Sequence, residues 1–244
     1  MDRFVELITQ PATEMKAEQT EKLTIEVGDF GAVSAFLYPA KKKNRLAITL
    51  ILGHGAGANQ SSGFMRLFAN GLAERGLDVM TFNFLYSERG RSGPDPKAKL
   101  EACYRAVIDA AGKQKQLKGN KLAIGGKSMG GRIGSQVAAE PDSASIAALV
   151  FLGYPLHPPG NLAKMRDEHL PNIKAPMLFL QGSRDTFGTT DEIRAVIKKH
   201  QLKATLYAIE GGDHSFKAPK SSGPQEAIYE QAMDEIVRWF GTHS

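Results

Sequence analysis

One cysteine stands in 244 residues. An internal disulfide is therefore excluded, and Cys103 falls on the apolar face of a helical stripe, where a thiol serves as packing and not as chemistry. No apolar run reaches the roughly 18 residues that a membrane-spanning helix needs. The first residues, Met1 to Leu7, carry acids and no long apolar stretch, so no secretory leader is expected and the chain reads as cytoplasmic. Positive charge is present but not concentrated. Lysine and arginine exceed the acids by 31 to 26, yet they lie scattered in Lys41 to Lys43 with Arg45, in Lys113 to Lys121, and in Lys198 with Lys199. Without interleaved aromatics these are solvated surface, which argues against a nucleic-acid groove and against a membrane partner. No internal repeat, low-complexity tract or linker divides the chain.

What is there is enough for a core: 42% of residues are hydrophobic against 23% charged, so a soluble globule is expected. Residues 1–21 are mixed and polar and read as a loosely held arm, leaving 22–244 as one domain. Lys22 to Val27 and Ala32 to Tyr38 alternate and are separated by Gly28 to Gly31, the pattern of an antiparallel hairpin. Thereafter strand and helix alternate. Leu46–Leu52 is almost wholly apolar, as a strand covered on both faces should be. Phe64, Leu67, Phe68 and Leu72 recur at helical spacing, Leu77–Phe84 is a strand, and Leu100, Cys103, Tyr104, Val107, Ile108 and Ala111 form the clearest helical stripe. Further strands are expected at 122–124, 146–152, 177–181 and 202–209. Thr189 with Glu192 forms a capping box ahead of a helix, and Tyr229 to Phe240 marks a last amphipathic helix. The alternation implies an α/β fold with a mainly parallel sheet covered by helices on both faces.

The stretch around which this order turns is Asn120 to Gly134. Within it, Gly126-Lys-Ser-Met-Gly130 fits Gly-x-Ser-x-Gly, with an apolar strand before and helical spacing after. A serine presented on so sharp a strand-to-helix turn needs neighbours without Cβ atoms, and glycines stand two before it and two after. Serine is a weak nucleophile until a base takes its proton and an acid holds that base, and such partners follow in the order serine, acid, histidine. Asp185 lies just past the apolar run 177–181, and His214 lies just past 202–209. Parallel strands end on one edge, so Ser128, Asp185 and His214 can converge. Asp191 and Glu210 remain alternative acids, and Asp213 adjoins His214 too closely in sequence for an easy carboxylate–imidazole bond. His157, His169, His200 and His243 compete for the base, but none follows the acid at a strand end. Leu52 to Gly57 supplies a glycine-containing loop after the first long strand. With the amide of Met129, the amide of Ala56 is the expected pair of donors to a developing oxyanion. The loop lacks the Lys-Ser/Thr of a phosphate-binding loop and does not fit Gly-x-Gly-x-x-Gly, and His54 reads as a brace within it.

His54 to Gly57, Phe82 to Phe84, Gly125 to Arg132, Tyr154 to Pro159, Leu180 to Asp185 and Gly212 to Phe216 together give the chain a family likeness. Over roughly residues 22–243 it resembles the α/β-hydrolases. It is more closely similar to the compact group related to dienelactone hydrolases, which includes the testis-expressed protein 30 and KAT8 regulatory NSL complex subunit 3 families. The resemblance implies an eight-stranded sheet with one antiparallel strand, a Ser128–Asp185–His214 triad, and a carboxylesterase-like serine hydrolase that needs no metal or cofactor. Its expected partner is a small-molecule ester or acyl substrate. Dienelactone hydrolases carry cysteine at the position of Ser128, so their substrate does not transfer. Between Leu152 and Met177 the chain is short and broken by Pro155, Pro158, Pro159, Pro171 and Pro176, which leaves no room for a helical cap and predicts an open site.

Overall fold

The computed structural model of the chain describes residues 20–41, 43, 45–143 and 145–243. The expected N-terminal arm lies almost wholly outside them. Eight strands form one sheet: β1 (Glu21–Glu26), β2 (Ala32–Tyr38), β3 (Ile48–Gly53), β4 (Asp78–Phe82), β5 (Lys121–Lys127), β6 (Ile146–Leu152), β7 (Met177–Gly182) and β8 (Ala204–Ile209), in the order β1-β2-β4-β3-β5-β6-β7-β8. Strands β3 to β8 run parallel, and β2 runs antiparallel to both its neighbours, as expected. Helices α1 (Gly63–Glu74) and α6 (Gln225–His243) cover one face; α3 (Lys97–Gly112), α4 (Met129–Ala138) and α5 (Thr190–Lys199) cover the other, with a single short turn of helix, α2 (Leu85–Glu88), beside them.

Two apolar layers follow from this arrangement. Ile51 of β3 points among Cys103, Tyr104 and Ile133, while Leu50 and Leu52 point among Phe68, Met233 and Phe240. A central strand must satisfy both layers, and all six residues of β3 are buried. The capping box of α5 is formed as read, with Thr189 accepting from the Glu192 amide at 3.3 Å and Glu192 accepting from the Thr189 amide at 2.7 Å. Between β6 and β7 the described chain contains only a 3₁₀ turn, Leu170–Asn172, and no cap. No helix of the described residues is long and apolar enough to cross a membrane.

The turn from β5 into α4 is held by a close approach of three backbones. A Cβ on Gly126 would lie 2.2 Å from the Gly53 carbonyl oxygen, and one on Gly130 would lie 2.1 Å from the same atom. The end of β3 is thus clasped between the residues two before and two after Ser128. Ser128 itself sits at φ 51°, ψ −116°, a conformation that L-residues avoid and that only surrounding structure can impose. Replacing Gly130 by alanine must push one backbone off another, whereas Gly93 faces open space. Gly130→Ala should therefore lose about 1–3 kcal/mol or more, while Gly93→Ala should stay within roughly 0.5 kcal/mol of wild type in a denaturant melt. Equal stability of the two variants would show that the clasp is not tight.

Two histidines are built into this frame. His54 is 0% exposed; its Nδ1 lies 2.8 Å from the Gly55 carbonyl, and its Nε2 accepts from the Phe84 amide at 3.2 Å. That pair of bonds suits the neutral Nδ1–H tautomer, and burial pushes the imidazole down to about 4, with the Gly55 carbonyl partly opposing. His169 packs half-buried against Ser135 Oγ at 2.7 Å, and it too is pushed down to about 4, by burial and then by Arg132 and Lys97. Above pH ~6.5 both are neutral folded or unfolded, so nothing is lost there. As pH falls from about 6.5 towards about 4, the unfolded chain takes up protons that the folded one refuses. Stability should drop across that window by up to about 1.4 kcal/mol per pH unit for each ring. Asp167, Glu88 and Glu192 are held below the ordinary carboxylate range, so their losses come at lower pH. Denaturant melts at pH 7, 5.5 and 4.5 measure the slope, and His169→Gln should remove about half of it; a flat profile down to pH 4.5 would contradict the burial argument.

Candidate active site

The carboxyl ends of β5, β7 and β8 deliver Ser128, Asp185 and His214 to one place. The Ser128 hydroxyl lies 2.8 Å from His214 Nε2, and His214 Nδ1 lies 2.7 Å from Asp185 Oδ2. The carboxylate is 0% exposed, the imidazole 20%. Three donors converge on Asp185: the His214 ring on Oδ2, the Gln181 amide group on Oδ2 at 2.8 Å, and the Phe187 backbone amide on Oδ1 at 2.8 Å. A buried carboxylate needs such partners to stay charged. The Phe187 ring lies against the imidazole, with centroids 4.3 Å apart.

The competing residues are occupied elsewhere. Asp213 folds its Oδ1 back onto the amides of Ser215 and Lys217, at 2.7 and 2.9 Å, and so closes the turn that carries His214. Asp191 is an exposed residue at the start of α5, paired with Arg194, and Glu210 is exposed. Among the histidines, His157 meets Glu192, His169 meets Ser135, His200 meets Asp167, and His243 stacks on Trp239.

The loop after β3 abuts the serine: a Cβ on Gly55 would come within 3.6 Å of Ser128 Cβ. The Gly55 carbonyl is drawn inward by His54 Nδ1 at 2.8 Å, and a trans peptide then turns the Ala56 amide the opposite way. His54 is thus the brace read from the sequence. Met129 opens α4, where the first amides have no intrahelical acceptor. Neither the Ala56 nor the Met129 amide has a protein acceptor among the described residues.

Two residues here escape a reading of the chain alone. Gln181, the one polar side chain in an otherwise apolar strand end, joins Asp185 to its surroundings, accepting from the Tyr154 amide at 2.8 Å and donating to the Gly188 carbonyl at 2.6 Å. Its signal is that single polar position. Lys127, beside the serine, is buried and donates from Nζ to the His214 carbonyl. Nothing in the spacing announces it. Of the aromatics that could line a pocket, Tyr86 and Tyr154 are core, whereas Phe187 touches the site and Phe64 lies over the Lys127 ammonium at 5.6 Å. Among the described residues no three His, Cys, Asp or Glu side chains are grouped to hold a metal ion.

Comparison with known proteins agrees with this architecture. A lidless α/β serine hydrolase of Xanthomonas campestris superposes with a TM-score of 0.67 at 18% identity, covering 90% of this chain and 94% of its own. A dienelactone hydrolase of Anabaena variabilis gives 0.67 at 20% identity over 90% and 97% of the two chains. An esterase of Pyrococcus furiosus gives 0.72 at 16% identity over 92% and 91%. At these identities the likeness is one of fold. The model of the α/β hydrolase domain matches residues 46–241, so the chain belongs to the α/β-hydrolase family.

Proposed function

We propose that the protein is a serine hydrolase that cleaves a small ester, thioester or amide through an acyl-enzyme. The observation that carries the reading is the unbroken relay from Ser128 Oγ to His214 Nε2 at 2.8 Å and from His214 Nδ1 to a fully buried Asp185 at 2.7 Å. Ser128 Oγ attacks the substrate carbonyl carbon while its proton passes to His214 Nε2. The carbonyl oxygen becomes an oxyanion, held by the amides of Ala56 and Met129. Collapse expels the leaving group, which takes the proton back from His214, and a water activated by the same imidazole then releases the acid. Asp185 keeps Nδ1–H facing inward and steadies the imidazolium without being protonated. The absence of a helical cap between β6 and β7 supports an open site and small substrates. Kinship with the testis-expressed and NSL-complex families stands as part of this reading, resting on Gly125 to Arg132, Tyr154 to Pro159, Leu180 to Asp185 and Gly212 to Phe216 taken together.

Wild type should react with a fluorophosphonate at Ser128, located by peptide mapping, and Ser128→Ala should fold but stay unlabelled. Equal labelling of folded Ser128→Ala would end the serine reading and leave an interaction module as the use of the fold.

The acid is tested by non-additivity. Asp185→Asn and His214→Ala should each lower kcat by on the order of 10⁴, and the double variant should be scarcely worse than His214→Ala alone. Asp213→Asn, Asp191→Asn and Glu210→Gln should remain within about tenfold of wild type. Losses at 185 and 214 that simply multiply would mean that the two residues do not act as one unit.

A further inference from the structure

Lys127 is a poor choice of residue for where it lies. Its side chain runs beneath the site with 9% exposure, and among the described residues its only hydrogen-bond acceptor is the main-chain carbonyl of His214. Among the described residues no carboxylate pairs with it. Asp185, after β7, and Asp213, after β8, attract it only through space, and Phe64 of α1 presents the face of its ring. The other titratable groups at this spot are His214 itself, Ser128 and Tyr229 of α6, whose hydroxyl donates to the Ser215 carbonyl at 3.3 Å. A buried ammonium without an ion pair lowers stability, and a methionine of similar length would fill the space without that cost.

The location of the contact supplies the reason. The turn carrying His214 is closed on one side by Asp213, which holds the amides of Ser215 and Lys217. On the other side the His214 carbonyl faces the sheet, and a Cβ on Gly153 would crowd it at 2.9 Å while lying 3.2 Å from Lys127 Nζ and 3.5 Å from His214 Nδ1. Gly153 leaves the gap through which the ammonium reaches the histidine's own backbone. The imidazole must span Asp185 and Ser128 with both bonds below 3 Å, so a small swing of its main chain breaks one of them.

We infer that Lys127 is a positioning residue for the base, an ammonium lodged under the site to pin the backbone of His214 so that its ring stays between Asp185 and Ser128. The inference rests on the hydrolase reading given above. Burial also pushes the ammonium down to about 8, with Asp185 and Asp213 opposing, so the pin weakens in the alkaline range as the group becomes a neutral amine and a poorer donor. An arginine, charged at every accessible pH, would not weaken in this way.

The test compares wild type with Lys127→Met, Lys127→Gln and Lys127→Arg, using a short-chain activated ester and a fluorophosphonate. Lys127→Met should melt no lower than wild type, yet turn over about 10- to 100-fold more slowly with KM within roughly threefold. Lys127→Gln, which keeps a donor, should lose less. The wild-type rate should decline as pH passes about 8, and the Lys127→Arg variant should hold its own rate to higher pH. A Lys127→Met enzyme within threefold of wild type would overturn the assignment. So would a slow one whose melting temperature falls with its rate, because that is the behaviour of a purely structural lysine. Wild type that fails to label at Ser128 would bring down the hydrolase reading itself, and the positioning role with it.

Discussion

The clasp of Gly126 and Gly130 around the carbonyl of Gly53 sets everything near the site. Because neither glycine has a Cβ, β3 and the start of α4 approach to a distance that no other residue pair permits, and the serine between them is forced to φ 51°. The same contact fixes the loop that follows Gly53 beside Ser128, since that loop leaves β3 from the clasped residue. Serine, first helical amide and the Gly55–Ala56 peptide are thereby three parts of one rigid contact. His54 completes it from below by holding the Gly55 carbonyl and the Phe84 amide at once, which ties the β3 loop to the end of β4.

The histidine side of the site is assembled differently. His214 hangs on a turn beyond β8, whose residues are mostly half-exposed at the rim of the sheet, and its position depends on contacts made across the chain. Asp185 bonds one ring nitrogen, Phe187 lies on the ring, Asp213 closes the turn, and Lys127 reaches the backbone. Gln181 in turn keeps Asp185 from rotating by joining it to Tyr154 and Gly188. A stiff serine thus meets a histidine held by several separate contacts, of which only the Asp213 turn is local in sequence.

That difference also explains what could be read from the chain. The strand–helix alternation, the elbow, the capping box of α5 and the absence of a cap were legible because each is a local pattern: an apolar run, a glycine spacing, a Thr with Glu three residues on, a short proline-rich link. Strand limits shifted by one to three residues, as with β3, which begins at Ile48 and not Leu46, because Ala47 takes a positive φ of 53° before the ladder starts. Lys127 was not legible. A lysine next to a strand end is ordinarily solvated, and its inward course depends on a carbonyl 87 positions away. Gln181 offered only the signal of one polar residue in an apolar run, and of the aromatics that could equally have been core or pocket, Tyr86 and Tyr154 proved to be core while Phe187 lies against the His214 ring.

The distribution of unfavourable chemistry gives the last step. A serine at positive φ, an imidazole held neutral at 0% exposure, an ammonium at 9% with no ion pair among the described residues, and a carboxylate at 0% each oppose folding by themselves. All four lie at the carboxyl ends of β3, β5 and β7, along one edge of the sheet, while the strand interiors are apolar and close-packed. Accidental defects would have no reason to share an edge, and selection for stability alone would remove them, since each can be replaced by a residue that fits the same volume. Sequences that agree with their fold at every level depart from it where something other than folding is required. Other departures, such as the half-buried imidazole of His169 and Ala47 at φ 53°, lie apart from this edge, but these four gather about the Ser128 hydroxyl, and the sheet is what keeps them there.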